Sequence, residues 1–272
     1  MKRERTKIIA EIGSNHLGDM ELAQKMIKVA AQNGIDIVKF QSWQAKTLIK
    51  TYPDYEAKRT WYQKTELDEQ KHQFLKEACA KAGVEFLTTV FDLGQVDFLA
   101  RLTPERIKIA SPDCSSLSLL KAVKSKFKEV IVSTGMTYDA EVIETARLLK
   151  DSNFVFMHCV SMYPTPLEQA NLSRMEWLKQ FTPRVGFSDH SLGVELAKMA
   201  VVLGACYVEK HFTIDRNLPG PDQKMSTLPE DFAELARYRD ECEKAWGVSN
   251  RPLTDSEENL RKIYIGKWGN NK

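Results

Sequence analysis

Short apolar, β-branched runs recur along this chain at fairly regular intervals. They span Ile8 to Gly13, Asp36 to Gln41, Val84 to Phe91, Arg106 to Ser111, Val130 to Gly135, Phe154 to Val160, Val185 to His190 and Tyr207 to Phe212. Each has the length of a buried strand. Most of the gaps between them carry helical periodicity: Leu22, Met26, Ile27 and Ala30 in one, Phe74, Leu75 and Ala78 in another, Leu196, Met199, Ala200 and Leu203 in a third. Asn33-Gly34, Ala82-Gly83 and Leu203-Gly204 punctuate helix ends just before the next run. Strands alternating with helices predict a parallel sheet, and eight such units predict a closed (β/α)8 TIM barrel of the α/β class. The barrel is expected over residues 1–247 as a single domain, followed by a polar, charged tail over 248–272.

Two stretches break the rhythm. Ser42 to Asp68 is long, aromatic and charged, and is expected either as a lid over the barrel mouth or as a packed surface excursion. Thr213 to Leu228 contains Leu218-Pro219-Gly220-Pro221-Asp222, and loops of that length are often functional. Thr227, followed by Pro229 and Glu230, reads as the cap of the last helix.

The runs end in polar residues: Glu11, Lys39, Gln41, Thr89, Lys108, Ser111, Asp113, Ser133, His158, Ser161, Tyr163, Ser188, His190, Lys210 and His211. In a barrel of this class the active site lies at the C-terminal ends of the strands. His190 and His211 close the seventh and eighth runs, so their imidazoles are expected to converge on a divalent metal with open coordination positions, a Lewis acid for a carbonyl. Lys39, Lys108, Ser111, Ser133 and Ser188 read as an anion site suited to a phosphate plus a carboxylate. Ser133-Thr134-Gly135 could add backbone donors near a helix N-terminus. Glu11, on a strand that neighbours the eighth in a closed barrel, could orient water or a substrate hydroxyl, or instead pair with Lys210. His158 reads as a hydrogen-bonded barrel residue and His72 as part of a solvated helix face. His16 either touches substrate or fixes its loop.

Composition narrows this picture without redirecting it. A net charge of +2 gives no global argument for nucleic acid or a membrane surface. Lys2, Arg3 and Arg5 read as a solvated tail. No apolar stretch approaches a membrane span, and no signal peptide opens the chain. The five cysteines lack short paired spacings, which fits reduced thiols in a cytoplasm; Cys159 and Cys206 read as core residues. No phosphate-binding glycine loop of the nucleotide type is present.

Several segments together resemble the sialic acid synthase (N-acylneuraminate synthase) family. They are Ala10 to Asp19, Val38 to Gln41, Lys108 to Ser111, Ser133 to Met136, His158 to Pro166, Ser188 to Gly193, Glu209 to Thr213 and Pro219 to Asp222, in order from about residue 7 to residue 245. The resemblance implies a (β/α)8 barrel that condenses phosphoenolpyruvate with the open-chain aldehyde of a sugar such as N-acetylmannosamine. It implies that His190 and His211 bind Mn²⁺ or Mg²⁺ and act in catalysis with Glu11. It implies that Lys39, Lys108, Ser111, Ser133 and Ser188 hold phosphoenolpyruvate, and that Gln41, Asp113, Ser161, Tyr163 and Asp222 face the acceptor. Asp113 stands where many members have Glu, and Ser161 where some have Asn. Ser42 to Asp68 does not match the family well. The usual C-terminal antifreeze-like domain is not expected after residue 247, which leaves a barrel-to-barrel homodimer as the expected assembly. A metal-dependent aldolase or hydrolase, or a non-catalytic sugar-binding barrel, are the alternatives.

Overall fold

The eight apolar runs pair edge to edge in chain order. In the computed structural model, which describes residues 4–248 and 250–269, they form one closed parallel barrel, β1 to β8. Lys2 and Arg3 lie outside the described residues. The strands are β1 Lys7–Gly13, β2 Ile37–Ser42, β3 Glu85–Val90, β4 Arg106–Ile109, β5 Glu129–Ser133, β6 Phe154–Cys159, β7 Val185–Asp189 and β8 Tyr207–His211. Each predicted run overlaps one strand. The connecting helices are α1 Met20–Gln32, α2 Tyr55–Thr65, α3 Glu69–Ala82, α4 Val96–Leu102, α5 Leu117–Lys124, α6 Asp139–Leu149, α7 Arg174–Leu178, α8 Glu195–Val202 and α9 Pro229–Trp246. The predicted glycine stops are real: Gly34, Gly83 and Gly204 all take left-handed φ values of 75 to 88°.

Side chains alternate across each strand, so two apolar layers form. Outward residues such as Ile8, Ala10, Val38, Phe40, Val130, Val132 and Val208 pack under the helices. Inward residues Ile9, Ile37, Leu87, Ile131, Val155, Met157 and Tyr207 fill the barrel interior. Continuing inward at the same period brings up Glu11, Lys39, Thr89, Lys108, Ser133, Ser188 and Glu209, then Gln41, Cys159, His190 and His211. The polar layers therefore sit directly on the apolar one.

The excursion after β2 is packed. Glu66 accepts the Ala45 backbone N–H at 2.9 Å, and the Trp43 indole donates to the Tyr62 carbonyl at 3.1 Å. Trp43 packs between Tyr62 and Phe91 in tilted contacts, with ring centroids 4.9 and 6.0 Å away. A side chain at Gly18 would meet the Lys64 carbonyl, and one at Gly220 would meet Trp61, so α2 lies against the loops that follow β1 and β8. His72 corrects the expectation of a solvated face. It is fully buried, with Nδ1 donating to the Asp68 carbonyl at 2.8 Å and Nε2 bonded to the Ser42 hydroxyl at 2.6 Å. The helical period alone did not reveal that its face turns onto the end of β2.

Two smaller expectations also change. The cap of α9 is Leu228 with Pro229 in the first turn, and Thr227 instead pairs with Phe212 in a short bridge. The tail holds a further helix, α10 (Asp255–Tyr264), capped by Thr254 and Glu257 and burying none of its residues. Cys79, Cys114, Cys159 and Cys206 are buried and no disulfide joins them. No helix among the described residues is long and apolar enough to cross a membrane.

Candidate active site

The strand register gathers one pocket at the C-terminal mouth, a cavity of about 110 Å³. Glu11, Lys39, Gln41, Lys108, Ser111, Ser133, Ser161, Tyr163, Ser188, His190 and His211 all line it. Glu11 stands in register with Lys39 on one side and with His211 on the other. Two sequence candidates stand apart. Asp113 faces an adjoining cavity and bonds to Ser116 at 2.8 Å, while Asp222 faces a third cavity beside Tyr163. Asp222 still comes within 3.9 Å of His211.

The lysines are almost wholly buried, which is costly for unpartnered charges. Lys39 contacts Glu11, donates to Thr89 at 2.9 Å and lies 3.4 Å from Glu209. Lys108 lies 3.3 Å from the same Glu209 oxygen. Glu209 is a site residue that the polar run ends do not mark, because Lys210 stands beside it in the sequence. Strand alternation would have found it: on β8, Tyr207, Glu209 and His211 share the inward face, while Lys210 points out. Lys210 pairs with Asp189 at 2.7 Å and with the Ser191 carbonyl at 2.9 Å, so the alternative of a Glu11–Lys210 pair fails.

The cluster is left partly unsatisfied. Glu11 Oε1, Glu209 Oε2, Ser133 Oγ and His211 Nδ1 are buried without a hydrogen-bond partner. Orphaned buried polar atoms in a closed barrel point to a ligand rather than to packing. Burial lifts the Glu11 carboxyl to about 7, against the pull of Lys39 and with the push of Glu209. Glu209 goes the other way: Lys108 and Lys39 overcome its burial and hold it down to about 2. One carboxylate of the pair stays charged while its neighbour can take up a proton near neutrality.

Beyond the lysines, Ser111 Oγ accepts the Gly135 N–H at 3.1 Å. A Cβ at Gly135 would lie 2.4 Å from Ser161 Oγ and 2.9 Å from Ser111 Oγ, so only glycine allows these hydroxyls to close in. The backbone donors of Ser133-Thr134-Gly135 do not serve a helix N-terminus, since Thr134 and Gly135 are already bonded to Met157 and Ser111 and α6 begins only at Asp139. Gly13, at φ 53°, likewise leaves room for Glu11: a Cβ there would meet Glu11 Oε1 at 2.7 Å.

His190 and His211 converge as their positions imply, with ring centroids 5.6 Å apart. His190 Nδ1 donates to the Val160 carbonyl at 2.8 Å, which fixes its tautomer and frees Nε2. Burial, with His190 and Lys39 nearby, pushes His211 down to about 3, leaving a neutral imidazole. Tyr163 stacks on His190 at 4.1 Å. Among the described residues no group of three or more His, Cys, Asp or Glu side chains converges as a metal cage. Two imidazoles with free nitrogens fit a divalent cation whose other ligands come from substrate and water. His158 bonds to the Ala170 carbonyl at 2.7 Å and is a barrel residue, and His16 accepts from the Gly18 N–H at 3.0 Å and fixes its loop.

A closed (β/α)8 barrel with a buried, half-satisfied ionic cluster at its C-terminal mouth defines an enzyme-type barrel. The chain belongs to the NeuB family, whose model matches residues 26–251. It is 38% identical to the N,N'-diacetyllegionaminic acid synthase of Campylobacter jejuni over 97% of this chain and 85% of that protein. It is 30% identical to human N-acetylneuraminate-9-phosphate synthase over 96% of this chain and 77% of that protein. A solved N-acetylneuraminic acid synthetase from Leptospira borgpetersenii, in complex with citrate, superimposes with a TM-score of 0.87 at 32% identity, covering 95% and 90% of the two chains.

Proposed function

We propose that this chain condenses phosphoenolpyruvate with the open-chain aldehyde of a sugar, giving a 3-deoxy-2-keto sugar acid and phosphate. The observation that carries this reading is the single pocket in which buried Lys39 and Lys108 face His190 and His211, with serine hydroxyls between them. Relatives named as synthases of N-acetylneuraminate-9-phosphate and of a diacetylated acid support the reaction class and leave the acceptor open.

In this reading Lys39 and Lys108 neutralise the phosphate and carboxylate of phosphoenolpyruvate, and Ser111, Ser133 and Ser188 donate to its oxygens. His190 and His211 would hold Mn²⁺ or Mg²⁺, which when bound would polarise the acceptor aldehyde as a Lewis acid. The methylene carbon of phosphoenolpyruvate attacks the aldehyde carbon, and the aldehyde oxygen takes a proton to become a hydroxyl. Water adds to the neighbouring, phosphate-bearing carbon with loss of one proton, and the tetrahedral intermediate loses phosphate from that carbon as its new hydroxyl becomes the 2-keto group, the hydroxyl proton leaving with the phosphate. Glu11 Oε1 accepts the proton that this water gives up, a role suited to a carboxyl held at about 7. Gln41, Ser161, Tyr163 and Asp222 surround the acceptor. The reading also takes the enzyme to be a cytoplasmic homodimer, following the same resemblance.

The test is phosphate release from phosphoenolpyruvate with a panel of aldoses, with and without a divalent metal. Release with at least one hexosamine, abolished by chelation and restored by Mn²⁺, is expected. Turnover of a sugar without phosphoenolpyruvate would instead favour an aldolase or hydrolase.

A further inference from the structure

Three buried polar side chains lie outside the pocket, on the helix-facing side of the sheet. His72 on α3, Ser42 at the end of β2 and Thr88 on β3 are fully buried, in the layer where Phe40, Leu75 and Val90 pack. Polar groups in such a layer are costly unless each finds a partner. Here each does, and the bonds have a direction. The Asp68 carbonyl can only accept, so His72 Nδ1 carries the proton and donates to it at 2.8 Å. Burial lowers the His72 pKa more than the Asp68 carbonyl raises it, so the ring is neutral. Its Nε2 therefore accepts from the Ser42 hydroxyl at 2.6 Å. Ser42 in turn accepts from the Thr88 hydroxyl, also at 2.6 Å.

Ser42 opens the excursion after β2 and Asp68 closes it, so one imidazole joins both ends of that segment. Each end has a further anchor. The Ser42 carbonyl accepts the Phe91 N–H at 3.1 Å, and Asp68 Oδ1 accepts the Lys71 N–H at 2.8 Å. What hangs from this clasp is functional surface. The excursion walls the adjoining cavity with Trp43, Tyr52 and Tyr62, and α2 lies on the loops after β1 and β8. On β2 the residue beside the clasp, Gln41, turns inward and lines the pocket. A Cβ at Gly13 would touch both the Gln41 carboxamide, at 3.4 Å, and Glu11 Oε1, so Gln41 stands beside that carboxylate.

We infer that His72 is a positioning residue for the condensation: its imidazole clasps Ser42 to Asp68, and through Ser42 it sets the end of β2 and with it Gln41 in the pocket. This deepens the condensation reading and rests on it for the kinetic consequences. A pocket group misplaced by about 1 Å can cost on the order of 100-fold in rate, so a contact outside the pocket has leverage on turnover.

The test takes the clasp apart one bond at a time. His72→Phe removes both bonds and keeps a ring in place. His72→Gln puts an amide where Nε2 was and retains an acceptor for Ser42. His72→Asn puts one where Nδ1 was and retains the donor to Asp68. His72→Phe should lower kcat by about 10- to 100-fold. KM for phosphoenolpyruvate should stay unchanged, because Thr88 keeps the Phe40 carbonyl within 3.3 Å and Thr89 keeps its bond to Lys39. His72→Gln should recover most of kcat and His72→Asn should not. Ser42→Ala should match His72→Phe, and the double variant should lose no more than either alone. Ser42→Ala is the smaller change and carries the comparison if His72→Phe does not fold. Limited trypsin digestion adds a readout independent of turnover: without the clasp, cleavage at exposed Lys46 and Lys50 should accelerate while the barrel resists. Additive losses, recovery by His72→Asn in place of His72→Gln, or a lowered Tm with kcat and cleavage both unchanged would overturn the assignment. No phosphate release by the unmodified protein with any acceptor would instead overturn the condensation reading and the positioning role with it, and the cleavage pattern would still decide the clasp.

Discussion

The two ends of this barrel are both charged and built from inward-facing strand residues, yet they are finished differently, the upper one buried and the lower one half-exposed. At the N-terminal end, Lys7, Glu85, Arg106, Glu129 and Arg184 form a connected chain of ion pairs. Glu129 also accepts the Tyr207 hydroxyl at 2.6 Å, and Arg184 reaches Glu4 at 2.8 Å. At the C-terminal end, the Glu11, Lys39, Lys108 and Glu209 cluster leaves acceptors and an imidazole nitrogen unmet. The same alternation that closes the bottom holds the top open. Charge that satisfies itself serves stability, and charge that does not is arranged for something absent from the chain.

The carboxylates make the contrast quantitative. Although burial raises Glu129, the Tyr207 hydroxyl and Arg184 outweigh it, so its pKa is lowered from the usual 4.5. Its stabilisation is present above pH 4.5 and is lost as pH falls through the lowered value. Glu11 is raised to about 7 from the same 4.5. Its favourable contribution is present below 4.5 and is lost as pH rises through about 7.

The largest effect expected is at the top. His190→Ala or His211→Ala should cut phosphate release by about 1,000-fold and lower bound metal, with the far-ultraviolet circular dichroism unchanged. Wild-type metal content in both variants would separate the imidazoles from any metal. Next comes Gly135→Ala, whose Cβ displaces Ser111 and Ser161; a loss of kcat/KM on the order of 100-fold is expected with little change in Tm. The bottom should behave in the opposite sense. Glu129→Gln leaves two guanidinium groups underpartnered and should cost about 2–4 kcal/mol in urea unfolding at pH 7, with kcat unaffected. Glu11→Gln mimics the protonated carboxyl. It should raise stability at pH 8 by about 1–3 kcal/mol, with the gain disappearing below pH 4.5, while activity falls. A stability loss at pH 8 would show that Glu11 behaves like the ion-pair chain below it. The smallest effect is Lys7→Ala, whose side chain is one-third exposed, at under about 1 kcal/mol.

Much of this contrast is legible in the sequence. Eight apolar runs and their glycine stops placed every strand, and polar residues at the run ends placed the mouth. His190 and His211 were found because they close adjacent strands. Glu209 was not, because neighbours in sequence lie on opposite faces of a strand, and only the inward face of β8 separates it from Lys210. His72 was misplaced because its helix is polar on several sides, and what covers it is the distant Ser42. Asp113 stands near the end of the fourth run and Asp222 enters only through the family resemblance, and the loops that carry them turn both into flanking cavities.

By itself, then, the sequence determined the barrel, the polar mouth at the C-terminal ends of its strands and the two imidazoles, because period and strand order follow from local patterns of burial. Only the tertiary structure decided which charges pair, which stay unmet and where the excursion after β2 opens a second cavity. Those outcomes depend on distances between strands and loops far apart in the chain, and no local pattern encodes them.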